Sequence, residues 1–331
     1  MIELKTKTIK EILEPVAADL QELDNRLINE ISPSSRALCS ILQDIFAAGG
    51  KRLRPALSFL LVKAFNQDID EASFLIAEIS ELIHTASLVH DDIIDNSLIR
   101  RGKPNTNSKF DNAVTVISGD FMFARAAVNL GRLGINEITT LYASVLEDLC
   151  DGEIRQVERK FSTAVDWDYY YSKTYKKTAS LFEASTKAIA IKLNKSKIEA
   201  CASYGKELGL AFQIIDDVLD YNSTTKTLGK PACSDLKEGQ VTAPLLHCLE
   251  QLALNDQAAY TELITIINQM ASGNTEFSTR VLELIESTGS INYCKDLAKQ
   301  HCAKAITAIE FLENNKYKTA LMELASWVTE Q

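Results

Sequence analysis

Apolar residues recur at helical spacing along almost the whole chain, and the breaks between these runs are short. A chain patterned this way must pack helix against helix. The spacing predicts helices over 5–30, 36–48, 55–66, 71–98, 112–132, 137–160, 167–190, 196–222, 241–254, 257–271, 276–287, 290–312 and 316–329. The interruptions "NQDID", "RRGKPNTN", "LGRLGINE", "NSTTKTLGKPACSDLKEG" and "ASGNTE" carry turn chemistry. With only 13 Gly and 6 Pro in 331 residues, little material is left for a strand-and-turn architecture. No composition shift or low-complexity linker divides the chain, so one all-α domain over 1–331 is expected. Segments 71–98 and 196–222 are apolar around most of their circumference, as central helices of a bundle are.

Those two segments also carry the chain's densest acid clusters. "SLVHDDIIDNSLIRRGKP", residues 87–104, contains Asp91, Asp92 and Asp95. "FQIIDDVLDY", residues 212–221, repeats the spacing as Asp216, Asp217 and Asp220. On a helix, residues at this spacing (Asp91 and Asp95) lie about 40° apart, one turn from each other, with Asp92 to the side. Unpaired carboxylates beside apolar helix would repel, and some would stay protonated. A hard divalent cation removes the conflict, because Mg2+ takes one or two carboxylates together with waters and substrate phosphates. One such cluster alone is better explained as an exposed acidic helix end; two, each embedded in apolar helix, argue for metal.

Cations accompany the acids. "AGGKRLRPAL", residues 48–57, places Lys51, Arg52 and Arg54 around a glycine turn and a helix start, where backbone N–H groups favour anions. Arg100 and Arg101 follow the first acid cluster, Lys177 lies in "KKTASLF", and Lys230 in "LGKPACSDLKEG". Any one such run is ordinarily a solvated basic loop. Together with paired acids they imply a diphosphate substrate bridged to the protein by Mg2+. The formal charge of −10 argues against a nucleic-acid partner. The N-terminal stretch has no apolar signal core, and no run of eighteen apolar residues predicts a membrane span. Seven scattered cysteines without a CxxC pair are expected to be buried free thiols in a reducing, cytoplasmic setting.

"GGKRLRP", "LVHDDIID", "RRG", "SGD", "DGEIRQ", "KTASLF", "GLAFQIIDDVLD" and "GKPACSDLKEGQVTAP" follow one another in this order. In that order they resemble the trans-isoprenyl diphosphate synthases, which include farnesyl, geranylgeranyl and longer polyprenyl diphosphate synthases. The resemblance implies antiparallel helices around a central cavity and a head-to-tail condensation, in which an allylic diphosphate ionises and is captured by isopentenyl diphosphate. It implies three Mg2+ ions per active site, held by Asp91, Asp92, Asp95, Asp216, Asp217 and Asp220. Arg100, Lys177 and Lys230 would contact the allylic diphosphate. Lys51, Arg54, His84 and Arg101 would hold isopentenyl diphosphate, and Thr178 and Gln213 would line the reaction centre. His90 is expected to be structural. Where many members of the family have lysine after "DLKEG", this chain has Gln240, which puts one diphosphate contact in doubt.

Product length follows from geometry. A growing chain must descend along the helix that carries the first acid cluster, and residues four and five before Asp91 lie about one turn below it. They are Ser87 and Ala86, both small. In the family that the chain resembles, an aromatic residue here acts as a floor that stops the product early. Ile83, Leu82, Ser80 and Ile79 follow lower down, with Met122 and Phe123 of a facing helix as deeper walls. A product of hexaprenyl length or longer is expected. A shorter-chain farnesyl or geranylgeranyl synthase is the nearest alternative. A terpene cyclase lacks a use for "GGKRLRP", and a regulatory subunit lacks a use for complete acid motifs. The resemblance implies a homodimer and leaves open a heterodimer with a small subunit. Contact with a membrane would be transient at most.

Overall fold

The computed structural model describes residues 7–29, 33, 35–47, 49–95, 99–100, 103–104, 106–222, 233–274 and 276–331. The helix expected over 5–30 is divided. α1 (Ile9–Ile12) starts in a capping box between Thr8 and Glu11. Pro15 then opens a 3-10 turn, Glu14–Val16, ahead of α2 (Ala17–Asn29). Proline lacks the N–H that would continue the first helix, so it begins a new element. After α3 (Arg36–Ala47) the chain turns at Gly49 and at Arg52, both with positive φ, into α4 (Leu53–Ala64). Arg52 is held in this strained conformation by bonds to Asp24 (2.8 Å), Glu81 (2.5 Å) and the Phe46 carbonyl (3.3 Å).

α5 (Glu71–Ile94) is capped by Asp70, which accepts from the Ser73 N–H at 2.9 Å. It ends at Ile94, short of the expected 98, with Asp95 as its C-cap. A two-residue antiparallel pair, Ile99–Arg100 with Lys103–Pro104, follows. Then come α6 (Thr106–Lys109), α7 (Asn112–Leu133), α8 (Asn136–Glu158) and α9 (Trp167–Thr174). The helix expected over 167–190 is interrupted by a π-helical turn, Tyr175–Ala179, before α10 (Ser180–Leu193). α11 (Ile198–Asn222) is the second acid-bearing helix. The remaining elements are α12 (Ser234–Lys237), α13 (Ala243–Asn255), α14 (Gln257–Ala271), α15 (Ser278–Ser287), α16 (Ser290–Ala308) and α17 (Lys316–Val328).

The two most enclosed helices are ones whose pattern did not single them out: α4 is buried at every residue but Lys63, and α10 at all but four. α10 is buried on all sides and touches α4, α5, α8 and α11. Small residues allow this: a Cβ at Gly209 of α11 would fall 2.6 Å from the Ala179 backbone, so only glycine permits the approach. α5 lies along α7, and α11 along α16. Phe46, Phe59, Phe182, Tyr170 and Tyr204 fill the space between, each large apolar side chain contributing roughly 1.5–3 kcal/mol. A second apolar cluster, including Leu236, Leu249, Ile267 and Ile285, joins α12 to α15. α5 and α7 are long and apolar enough to cross a bilayer, although no continuous apolar run announced it. For α5 the reason is enclosure in the bundle; α7 keeps Val114, Ile117 and Val128 exposed.

Candidate active site

Both acid clusters stand at the C-terminal ends of their helices, α5 and α11. That end carries the negative pole of the helix dipole, so carboxylates there raise the local negative potential and invite a cation. Asp95 N–H donates to the Asp91 carbonyl at 2.9 Å, which keeps those two residues one turn apart. In each cluster the middle acid is the buried one: Asp92 is 5% exposed and Asp217 1%. Asp91 and Asp95 are half-buried, and Asp216 is exposed.

The second cluster is wired into the protein. Asp217 accepts from the Tyr170 hydroxyl (2.7 Å), Gln213 Nε2 (2.9 Å) and the Ala243 N–H (3.3 Å). Burial raises its pKa, opposed by Lys173 and by these donors. Asp220 accepts from the Ser234 hydroxyl (2.5 Å) and from the backbone N–H groups of Ser234 and Asp235 (3.1 Å each), capping α12. A fourth acid, Asp235, lies in the field of Asp216, Asp217 and Asp220, and burial with those charges pushes its pKa well up. The "SDLKEG" segment contained it, but nothing in its spacing tied it to α11. Lys173 was missed for the same reason; burial lowers its pKa against the pull of Asp217 and Asp235.

The π turn spreads three neighbours over two facing helices: Lys176 and Lys177 meet acids of α8, and Thr178 meets Gln213 of α11. An extra residue per turn lets Lys176, Lys177 and Thr178 diverge from the regular helix rows. Thr178 donates to Gln213 Oε1 at 2.7 Å, so the chain Thr178–Gln213–Asp217–Tyr170 is continuous. Lys177 pairs with Glu153 of "DGEIRQ", and Lys176 with Asp148 at 2.5 Å.

The cations of "GGKRLRP" divide their duties. Arg52 is the structural one described above. Arg54 is 9% exposed, its guanidinium 4.4 Å above the Phe182 ring. Burial lowers its pKa to about 10 against the pull of Glu81, and its Nε has no acceptor among the described residues. Lys51 donates to the Gln331 side chain at 2.7 Å and sits 4.6 Å from the Trp327 ring centroid. His84 is half-buried. His90 Nε2 is 3.0 Å from the Val116 carbonyl, and a Cβ at Gly119 would overlap it at 2.2 Å. The Arg100 side chain, Arg101 and Lys230 lie outside the described residues.

Below the acids, α5 presents Ala86, Ile83, Leu82 and Ile79, all fully or almost fully buried. Ser87 is half-buried and donates to the His84 carbonyl at 2.9 Å. The Gly119–His90 approach and a 2.8 Å bond from Asn129 to Glu78 set α7 antiparallel to α5. Met122 therefore stands near the level of Ala86, and Ala126 and Leu130 are the deeper α7 residues. Phe123 packs edge-on against His90, with ring centroids 5.6 Å apart. Lower still, a buried crossbar joins three helices. The Tyr142 hydroxyl of α8 is 2.6 Å from Ser80 Oγ of α5, which accepts from Ser185 Oγ of α10 at 3.0 Å.

A hard cation fits this donor set, which is carboxylate oxygen throughout. Among the described residues no three acid, His or Cys side chains form a ready-made metal cage, so substrate oxygens would have to complete the coordination. Residues 35–285 match the family model described as polyprenyl synthetase. The chain is 39% identical to a prenyl transferase of Cyanophora paradoxa, over 98% of this chain and 99% of that one. It is 36% identical to the chloroplastic solanesyl diphosphate synthase 2 of Arabidopsis thaliana, over 99% of this chain and 78% of the relative. Its fold matches a polyprenyl synthase of Caulobacter crescentus, solved with calcium and isoprenyl diphosphate, with a TM-score of 0.89, 31% identity and 99% of each chain covered. With the paired acids, the basic segment and the helical architecture in place, these likenesses show that the chain belongs to the polyprenyl synthetase family of trans-prenyltransferases.

Proposed function

We propose that this chain adds isopentenyl diphosphate repeatedly to an allylic diphosphate, making a trans-polyprenyl diphosphate of hexaprenyl length or longer. The observation that carries the length is the depth of small and aliphatic side chains beneath Asp91. Ala86 leaves the first turn open, and the Tyr142–Ser80–Ser185 crossbar comes eleven residues down α5 from Asp91, about 16 Å along the axis. That crossbar bounds the straight depth in this reading, and a six-unit chain, longer than this depth when extended, bends beside it.

Asp91, Asp95 and Asp216 would hold Mg2+ against the allylic diphosphate, with Asp92, Asp217 and Asp220 keeping the acid sets in place. When bound, Mg2+ acts as a Lewis acid that offsets charge on the departing diphosphate. Lys177 releases Glu153 to meet the same group, and Lys230 and Arg100 join it. Arg54, Lys51, His84 and Arg101 hold isopentenyl diphosphate; the buried Arg54 keeps its charge in a dry setting, where each hydrogen bond counts for more. Thr178 and Gln213 present fixed oxygens beside the reaction centre, where preorganised dipoles favour developing positive charge. The apolar walls exclude water that would quench it.

Exposed Ile117 and Val128 on α7, with Ile154 and Val157 on α8, supply an apolar face for a second copy, which supports a homodimer. Of the cysteines expected to be buried free thiols, Cys150 is exposed and Cys39 half-buried.

The test is the purified chain alone, incubated with Mg2+, farnesyl diphosphate and radiolabelled isopentenyl diphosphate. A single elongated product of six or more units is expected. Products of four units or fewer would overturn the length, a cyclised hydrocarbon would overturn the reaction, and turnover only with an added small subunit would overturn self-sufficiency.

A further inference from the structure

Lys173 ends α9, immediately before the π turn, and is 8% exposed. Its ammonium makes no hydrogen bond or ion pair among the described residues and stands 5.6 Å from the centroid of the Tyr170 ring. An ammonium so placed is costly unless a partner arrives. Asp217, Asp235, Glu153 and Lys177 surround it, but the oxygens of Asp217 are already taken by Tyr170, Gln213 and Ala243. Gln240 Nε2 is also buried without an acceptor. Lys173 and Gln240 line one open cleft, together with Tyr170 and Arg159. Two unsatisfied donors, one charged and one neutral, therefore converge beside the second acid cluster. The missing partner is an oxyanion, and the oxyanion chemistry of this site is diphosphate.

We infer that Lys173 is a diphosphate-binding residue, supplying from α9 the positive charge that Gln240 cannot supply from its own position. This rests on the diphosphate reading above. It further requires that Lys173 and Gln240 share one ligand, so a charge moved from one position to the other should still work.

The test compares the full chain with Lys173→Gln, Gln240→Lys and the double exchange. Binding of inorganic pyrophosphate with Mg2+ is measured by calorimetry, and KM is measured for farnesyl and isopentenyl diphosphates. Loss of a charge-assisted bond in Lys173→Gln should weaken pyrophosphate binding and raise KM for farnesyl diphosphate about tenfold or more. KM for isopentenyl diphosphate should stay unchanged. The double exchange should recover most of the loss. Unchanged pyrophosphate affinity in Lys173→Gln, or no recovery in the double exchange, overturns the inference. Should Lys173→Gln fail to fold, Lys173→Met, which keeps the buried stem and removes the charge, takes its place, and unchanged pyrophosphate affinity there overturns the inference. A wild-type chain that binds pyrophosphate but elongates nothing would refute the proposed reaction and leave this result standing.

Discussion

The Tyr142 hydroxyl lies 2.6 Å from Ser80 Oγ in a fully buried contact between α8 and α5. Burial drives the phenol pKa well above its ordinary value, so the group is a neutral hydrogen-bonding bar and not a charge. Tyr142→Ala should remove the bar and lengthen the product by one or more isoprene units, while costing roughly 3–5 kcal/mol of stability as a large cavity opens. Tyr142→Phe keeps the ring, so product length should hold. Chromatography of dephosphorylated products reads both; unchanged length in Tyr142→Ala places the floor elsewhere.

Ala86 is fully buried on α5 beside the level of Met122. Ala86→Phe should place an aromatic ring about one turn below Asp91 and shorten the product. The same chromatography checks it. Overpacking should cost about 1–3 kcal/mol, visible as a lowered thermal midpoint.

Asp216 and Asp217 are neighbours with opposite exposures, and their Asn variants should separate chemistry from stability. Asp216→Asn should lower kcat about a hundredfold or more through lost metal-assisted charge stabilisation, with little change in thermal unfolding. Asp217→Asn leaves a donor facing donors from Tyr170, Gln213 and Ala243. It should cost about 1–3 kcal/mol in denaturant unfolding.

Asp70 caps the acid-bearing α5 and pairs with Lys192 at 2.6 Å. Burial would raise its pKa, but Lys192 and Ser73 outweigh it and the net value is lowered. A carboxylate depressed on folding stabilises the fold above its unfolded-state value and loses that contribution as pH falls through its folded value. Asp70→Ala should therefore cost about 1 kcal/mol near neutrality. The gap to the wild type should narrow as the pH falls below about 4. Urea unfolding across pH 2–7 checks the sign.

The helical content and both acid clusters were legible because periodicity and the recurrence of "DD" with a third Asp are local properties of the chain. The break at Pro15 was readable from proline chemistry, yet the continuous apolar pattern on both sides obscured it. The π turn at Tyr175–Ala179 was not readable, because its residues have no composition that separates them from regular helix. Asp235 and Lys173 were equally silent: each acquires meaning only from carboxylates that are distant in sequence.

By itself the sequence determined that helices would form, that two of them would end in three carboxylates, and that small residues would stand one turn below Asp91. These follow from spacing along one helix, where 1.5 Å and 100° per residue convert order into position. Tertiary structure decided which acid of each cluster is buried and which helix is central. It also set the level of Met122 and Phe123 against α5, and the partnership of Tyr142 with Ser80. Those depend on the register between helices, and register is set by contacts such as Gly119 against His90 and Gly209 against Ala179, which no single segment contains.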